Sequence, residues 1–148
     1  WIGALLHDIG KLVLGFFFWS HFEDIIVEMG ERGTSFRQAE QSLGDIANHE
    51  YLGKLMLMKS RVDKLLVDAV STHNTPGNTP PPLVCLVHLA NELSKELGKG
   101  YMPDERAEYN PQVLNALQLS PSDITRIASQ LQNQVAAEIN TLVDHCID

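Results

Sequence analysis

The chain has 148 residues, 44% of them hydrophobic, with 19 acidic against 11 basic side chains and a formal charge of -8. That length and apolar fraction supply the core of one domain and exclude intrinsic disorder. The acidic balance argues against nucleic acid, which needs clustered Lys and Arg, and against an anionic membrane surface, while leaving room for a small anion held by a metal or a local Lys. Two cysteines, Cys85 and Cys146, are too few for a disulfide framework and lie in apolar helical patterns, so a reducing, cytoplasmic setting is expected.

Trp1 opens directly on an apolar helical pattern, as a piece of a longer protein would. Ile2, Leu5, Leu6, Ile9 and Val13 keep the i, i+3, i+4, i+7 spacing of one amphipathic helix. The apolar run after Lys11 is too short to span a bilayer, His7, Asp8 and Lys11 interrupt the segment, and it has no basic region of the kind that opens a signal peptide. On a helical wheel those three polar residues share the side opposite the apolar set, close enough to touch. A second helix is expected from about His21 to Gly30, stopped by Gly30 and Gly33. Ser35, with Gln38 three residues on, is a capping box opening a third helix, which Gly44 closes. A fourth covers roughly Ile46 to Met58. A fifth covers Val62 to His73, with Val62, Leu65, Leu66, Ala69 and Val70 as its stripe.

Residues 74–82 hold four prolines and one glycine and read as a loop. A long buried helix follows from Leu83 to Leu97, with Leu83, Leu86, Ala90, Leu93 and Leu97 facing inward and Gly98 and Gly100 closing it. Asn110–Pro111 and Ser120–Pro121 are N-cap and N1 pairs for the last two helices, the final one running towards Cys146. Period-two alternation, internal repeats and long linkers are missing. The expectation is one all-α multi-helix bundle over residues 1–148.

Three histidines stand out. His49 lines up with Leu52, Gly53 and Met56 on an inward face, where Gly53 would admit another helix. His73 extends the stripe of Ala69 and Val70. Together with the His7–Asp8 dyad they place polar groups on three separate helices, which reads as a converging site; neutral imidazole and carboxylate suit Mn, Fe or Zn. The plain alternatives are a solvated Asp8–Lys11 pair on the first helix and hydrogen-bonded core histidines at 49 and 73. His88 shares an edge stripe with Asn91 and Lys95 and receives no role. His21 and His145 read as solvent-facing, and the cluster from Phe16 to Trp19 as core or as a surface for upstream helices.

Residues 5–14, Leu-Leu-His-Asp-Ile-Gly-Lys-Leu-Val-Leu, resemble the HD motif of the HD superfamily of metal-dependent phosphohydrolases. Asn48-His49-Glu50-Tyr51-Leu52-Gly53, an apolar helix, and His73 before Thr75-Pro76 resemble the HDOD branch of that superfamily, and Leu86 to Asn91 resemble its next helix. The resemblance covers residues 1 to about 100, with 101–148 left for C-terminal helices, and it implies an HD-type bundle that lacks its N-terminal helices. It implies that His7 and Asp8 are the metal dyad, that His49 and His73 complete the ligand set, and that Lys11 is a phosphate contact.

The departures matter as much. The superfamily's upstream His would precede Trp1, Asn91 stands where a later Asp ligand is found, and Asn74 replaces the second His of a pair. The Gly-Tyr-Pro signature of cyclic-di-GMP phosphodiesterases has no match in position or spacing. A neutral Asn is a poor ligand for a dication. The resemblance therefore implies a degenerate site with no cofactor, in a regulatory signal-transduction domain of a bacterial signalling protein such as a response regulator. Its partners would be other signalling proteins or domains. The alternative is a phosphohydrolase or phosphodiesterase with Fe, Mn or Zn on His7, Asp8, His49 and His73.

Overall fold

The computed structural model describes residues 1–44, 48–102 and 105–147, with side chains except at 135, 136 and 139–147. The described residues form helices and no strand: α1 (Ile2–Leu6), α2 (Ile9–Phe17), α3 (Trp19–Arg32), α4 (Phe36–Leu43), α5 (His49–Lys59), α6 (Lys64–Thr72), α7 (Pro82–Glu96), α8 (Pro111–Ala116) and α9 (Pro121–Ile147). The all-α bundle expected from the sequence is the architecture observed.

The first helix is not continuous. The chain turns at His7–Asp8, and Asp8 sits at φ -102, ψ 14, in the sparsely allowed bridge region where many active-site residues lie. Just past the turn comes a glycine crossing. A Cβ at Gly10 would lie 1.8 Å from the His49 carbonyl oxygen, and one at Gly53 would lie 2.8 Å from Val70 Cγ1 and 3.4 Å from the Gly10 nitrogen. Backbone therefore packs on backbone where α2 crosses the start of α5, as Gly53 led one to expect. The face that α1 and α2 bury is accordingly Gly3, Gly10 and Leu14. Ile2 and Leu5, read as core from their spacing, are largely exposed.

Local signals set most other boundaries. Both halves of the Ser35–Gln38 capping box form, and α3 ends at Gly33 with φ 62, its N–H bonded to the Met29 carbonyl. Asn48, Asp63 and Asn110 cap α5, α6 and α8 with their side chains. The expected start of the fourth helix at Ile46 lies outside the described residues. α3 and α4 close one core with Leu14, Ile25, Met29, Phe36 and Ala39, and Leu57, Val67 and Val70 join α5 to α6.

The inward face of α7 differs from the expected leucine stripe. Val84, Cys85, Val87, His88, Leu89, Glu92 and Leu93 are buried, while Leu86 is 54% exposed. α7 is covered from two sides: Val84 and Val87 pack with Ala69, and Leu89 and Leu93 pack with Ile124 and Ala128 of α9. Two covering partners bury a wider arc than a single stripe predicts. Leu65 and Met56, also placed on inward stripes, are exposed, and His21 is half-buried, not solvent-facing. Cys85 is buried as expected; the side chains of His145 and Cys146 lie outside the described ones. Phe16, Phe17 and Trp19 are exposed at the α2–α3 corner. No single helix among the described residues is long and apolar enough to cross a membrane.

Candidate functional site

Four elements bring His7, Asp8, His49 and His73 together. His49 is the first residue of α5, where a helix leaves its backbone N–H groups unused. Glu40, on the buried stripe Phe36–Ala39–Glu40 of α4, accepts from both the His49 N–H and its Nδ1, each at 2.7 Å. Because a carboxylate only accepts, the proton is on Nδ1 and the Nε2 lone pair points inward. His73 caps the end of α6, and its Nδ1 donates to the Val70 carbonyl at 2.9 Å, so its Nε2 also points inward. The imidazoles of His49 and His73 are 5.6 Å apart by centroid, and those of His7 and His73 4.9 Å. Each is buried or half-buried, in contrast to the solvated face that the first helix alone suggested.

Asp8 is the hub. Its Oδ2 accepts from Lys11 Nζ at 2.7 Å and lies 3.3 Å from His7 Nε2. Its Oδ1 stands 3.6 Å from the Nε2 atoms of both His49 and His73, and is buried with no hydrogen-bond partner. Burial by itself would raise the Asp8 pKa. The hydrogen bond from His7 and the Lys11 charge outweigh it and hold the carboxyl far below the usual range. His7 is pulled down by burial, but its bond to Asp8 and that carboxylate's charge leave it raised. His73 is lowered, chiefly by burial, so its ring is neutral near pH 7.

Asn74 completes the arrangement in a way the sequence did not disclose. Its Nδ2 is 2.8 Å from His73 Nε2 and 3.2 Å from His49 Nε2. An amide group has two N–H donors, and here they meet the two inward lone pairs. Glu50 fixes the amide's position by accepting the Asn74 backbone N–H at 3.1 Å. Asn91 lines the same cleft, half-buried, and donates to Glu92 at 3.1 Å.

His7, Asp8 and His73 offer ligand atoms that all lie within 4.8 Å of one another, and the orphaned Asp8 Oδ1 is an atom a cation would satisfy. One small dication therefore fits this triad by distance and donor chemistry. Against it stand Lys11, which already neutralises Asp8, and the Asn74 amide, which already holds the inward lone pair of His73.

The cluster forms the floor of a cleft of about 280 Å³, whose walls include Arg37, Lys95, Lys99 and Tyr101. None of these four was singled out as a site residue, and Lys11 had been the one cation expected there. Glu40 and Glu50 were also missed, although a carboxylate inside the apolar stripe of α4 was a readable signal. His88, given no role, is buried: its Nδ1 donates to the His73 carbonyl at 2.7 Å and its Nε2 accepts the Asn110 N–H at 3.0 Å. Those two bonds fix one neutral tautomer and tie the end of α6 to the start of α8.

An all-helical domain with a His–Asp dyad on a turn and two further inward histidines has the architecture of an HD-type domain. A family model for the HDOD domain matches residues 1–76, half of the chain, and the chain belongs to the HDOD family. No curated protein and no solved structure gives a match.

Proposed function

We propose that this chain is a regulatory module of a bacterial, cytoplasmic signalling protein of the response-regulator kind. It acts on other signalling proteins or domains and performs no turnover of its own. The observation that carries this reading is Asn74, whose amide donates to the His73 and His49 lone pairs that a catalytic ion would need. A two-metal centre stabilises the attacking and leaving oxygens only when anionic ligands hold both ions. Here the carboxylate of the triad is paired with Lys11, and a neutral Asn91 stands on the cleft wall. The exposed aromatics at the α2–α3 corner are a surface suited to a protein partner.

A second reading rests on the orphaned Asp8 Oδ1 and the triad. In it, one Fe, Mn or Zn ion on His7, Asp8 and His73 would supply Lewis acidity towards a phosphate ester. The full chain, purified without added metal, is expected to contain no stoichiometric ion. It is also expected to show no phosphatase or phosphodiesterase turnover with Mn, Fe or Zn on nucleotides and cyclic dinucleotides. Metal-dependent turnover that vanishes in Asp8→Ala, with circular dichroism unchanged, would establish the second reading and overturn the first. Asn74→Ala should bind Mn more tightly than the wild type by titration calorimetry, because the amide no longer competes for the imidazoles.

A further inference from the structure

We infer that the chain self-associates, with the exposed basic face of α5 in one copy receiving the exposed acidic face of α3 in a second copy. α5 buries His49, Glu50, Gly53 and Leu57. At about 100° per residue, its opposite arc carries Lys54, Met58, Tyr51, Leu55 and Lys59 in that order, all exposed. A solvated helix face is ordinarily polar. Here an apolar stripe runs down its middle, with Tyr51 at 51% and Met58 at 56% exposure, and a lysine stands on each side. Apolar side chains that stand singly on a surface are ordinary, whereas a continuous stripe rimmed by charge marks a contact. Methionine suits such a contact because its flexible chain conforms to a partner.

The basic rim continues past the helix end. Arg61 has φ 54, the left-handed conformation in which glycine is the usual residue. Its N–H bonds the Met58 carbonyl, and the Val62 N–H bonds the Leu57 carbonyl. Glycine would close the helix in the same way with less strain, and what the arginine adds there is a third exposed cation. Lys64 pairs with Asp68, but Lys54, Lys59 and Arg61 have no ion-pair partner among the described residues, and residues 51–62 hold no Asp or Glu.

The acidic counterpart is α3. Its exposed arc carries Trp19, Glu23, Val27, Glu31 and Asp24 in that order, and Trp19 and Val27 are 62% and 53% exposed. Glu28, at the edge, is held by Arg32 and Ser42. The carboxylates of Glu23, Asp24 and Glu31 have no ion-pair or hydrogen-bond partner among the described residues. One face therefore offers unpaired cations around an apolar stripe, and the other offers unpaired carboxylates around Trp19 and Val27. Complementary charge of this kind sets register and steers encounter. It favours a second copy over a lipid surface, because a chain of formal charge -8 is repelled by anionic headgroups. A two-fold dimer makes the contact twice, since what one copy presents the other receives. Neither face includes the His–Asp cluster, so the association is independent of whether that cluster turns anything over.

The test is analytical ultracentrifugation of the full chain across protein concentration, at low and high salt. The wild type should associate, more weakly as salt is raised. Lys54→Glu/Lys59→Glu and Glu23→Lys/Glu31→Lys change exposed positions only and should keep the wild-type circular dichroism. Each should weaken association about tenfold or more. The first makes the chain more acidic and the second less, so a loss in both is not general repulsion. Mixed in equal amounts, the two variants should associate again, because every α3–α5 contact then pairs opposite charges. Arg61→Gly should raise Tm yet weaken association. A wild type that stays monomeric, either double variant associating as the wild type does, a mixture that stays monomeric, or a monomer that sediments with phosphatidylglycerol vesicles would each overturn the inference.

Discussion

The two ends of the molecule are stabilised by different means. Around α2, α5 and α6 the packing is backbone against backbone through Gly10 and Gly53, and the buried groups include His49, His73, Glu40 and Glu50. Around α7 and α9 it is mainly Leu89, Leu93, Ile124 and Ala128, with Leu97, Leu114 and Leu117 beside them, an aliphatic core in which only His88 and Glu92 of α7 are buried polar groups among the described residues. The first arrangement orients polar atoms and tolerates little change of shape; the second supplies apolar burial and tolerates substitution by similar volumes. The family match stops at residue 76, yet the aliphatic half contributes Lys95, Lys99 and Asn91 to the cleft. One half carries the chemistry, and the other walls it in.

The largest effect should come from the glycine crossing. Gly10→Ala places a methyl 1.8 Å from a carbonyl oxygen that belongs to a helix backbone and cannot rotate away. We expect a loss of more than about 3 kcal/mol in urea unfolding, with the His49–Asp8 geometry disrupted. In the other half, Leu93→Ala should cost about 3 kcal/mol while leaving the His49 ring tautomer, read by nitrogen NMR, unchanged. If Leu93→Ala shifted the His49 ring nitrogens while still folded, the division between chemistry and wall would fail.

Glu40→Gln should cost about 2 kcal/mol. The glutamine can still accept the His49 N–H, but its NH2 then meets the His49 Nδ1 proton. Relief requires the other tautomer, whose Nε2 proton meets the Asn74 amide, and nitrogen NMR of the His49 ring would report the switch.

The pH responses of two histidines should be smaller and opposite in sign. His73 is held below its ordinary 6.5, so the stability it contributes is fully present above that value and is lost as pH falls through the folded value. His73→Gln should therefore soften the drop in Tm between pH 7 and pH 5. His7 is raised above 6.5, so its contribution is full below that value and fades as pH rises through the folded one. His7→Gln should steepen the same drop. Smallest of all is Gly15→Ala, in α2 with no atom within 4 Å of the added methyl. It should stabilise the chain by about 0.5 kcal/mol, and a loss would mean that α2 is more tightly enclosed than its second glycine indicates.

The sequence by itself determined most helix boundaries and the identity of the cluster, though not the break between α1 and α2. Caps and stops are local chemistry, so Ser35 with Gln38, Gly33, Asn110 and Pro111 could be read in place. The motif residues His7, Asp8, His49 and His73 could be read too, because each recurs at a defined place in a resemblance. Tertiary structure decided which faces those helices bury, since burial depends on the partner. Ile2 and Leu5 keep a core spacing yet face outward because α2 seats on α5 through glycine. Leu86 is exposed because the two partners of α7 pack on Val84 and Val87 and on Leu89 and Leu93, and neither covers its face. Tertiary structure alone also decided which charged side chains meet in the cleft. Arg37, Lys95 and Lys99 are ordinary surface residues along the chain, and only the packing of α4 and α7 around the His–Asp floor brings them to one cavity. Asn74 belongs with them: in sequence it marks a missing ligand, and in space its amide bonds the ligands that remain.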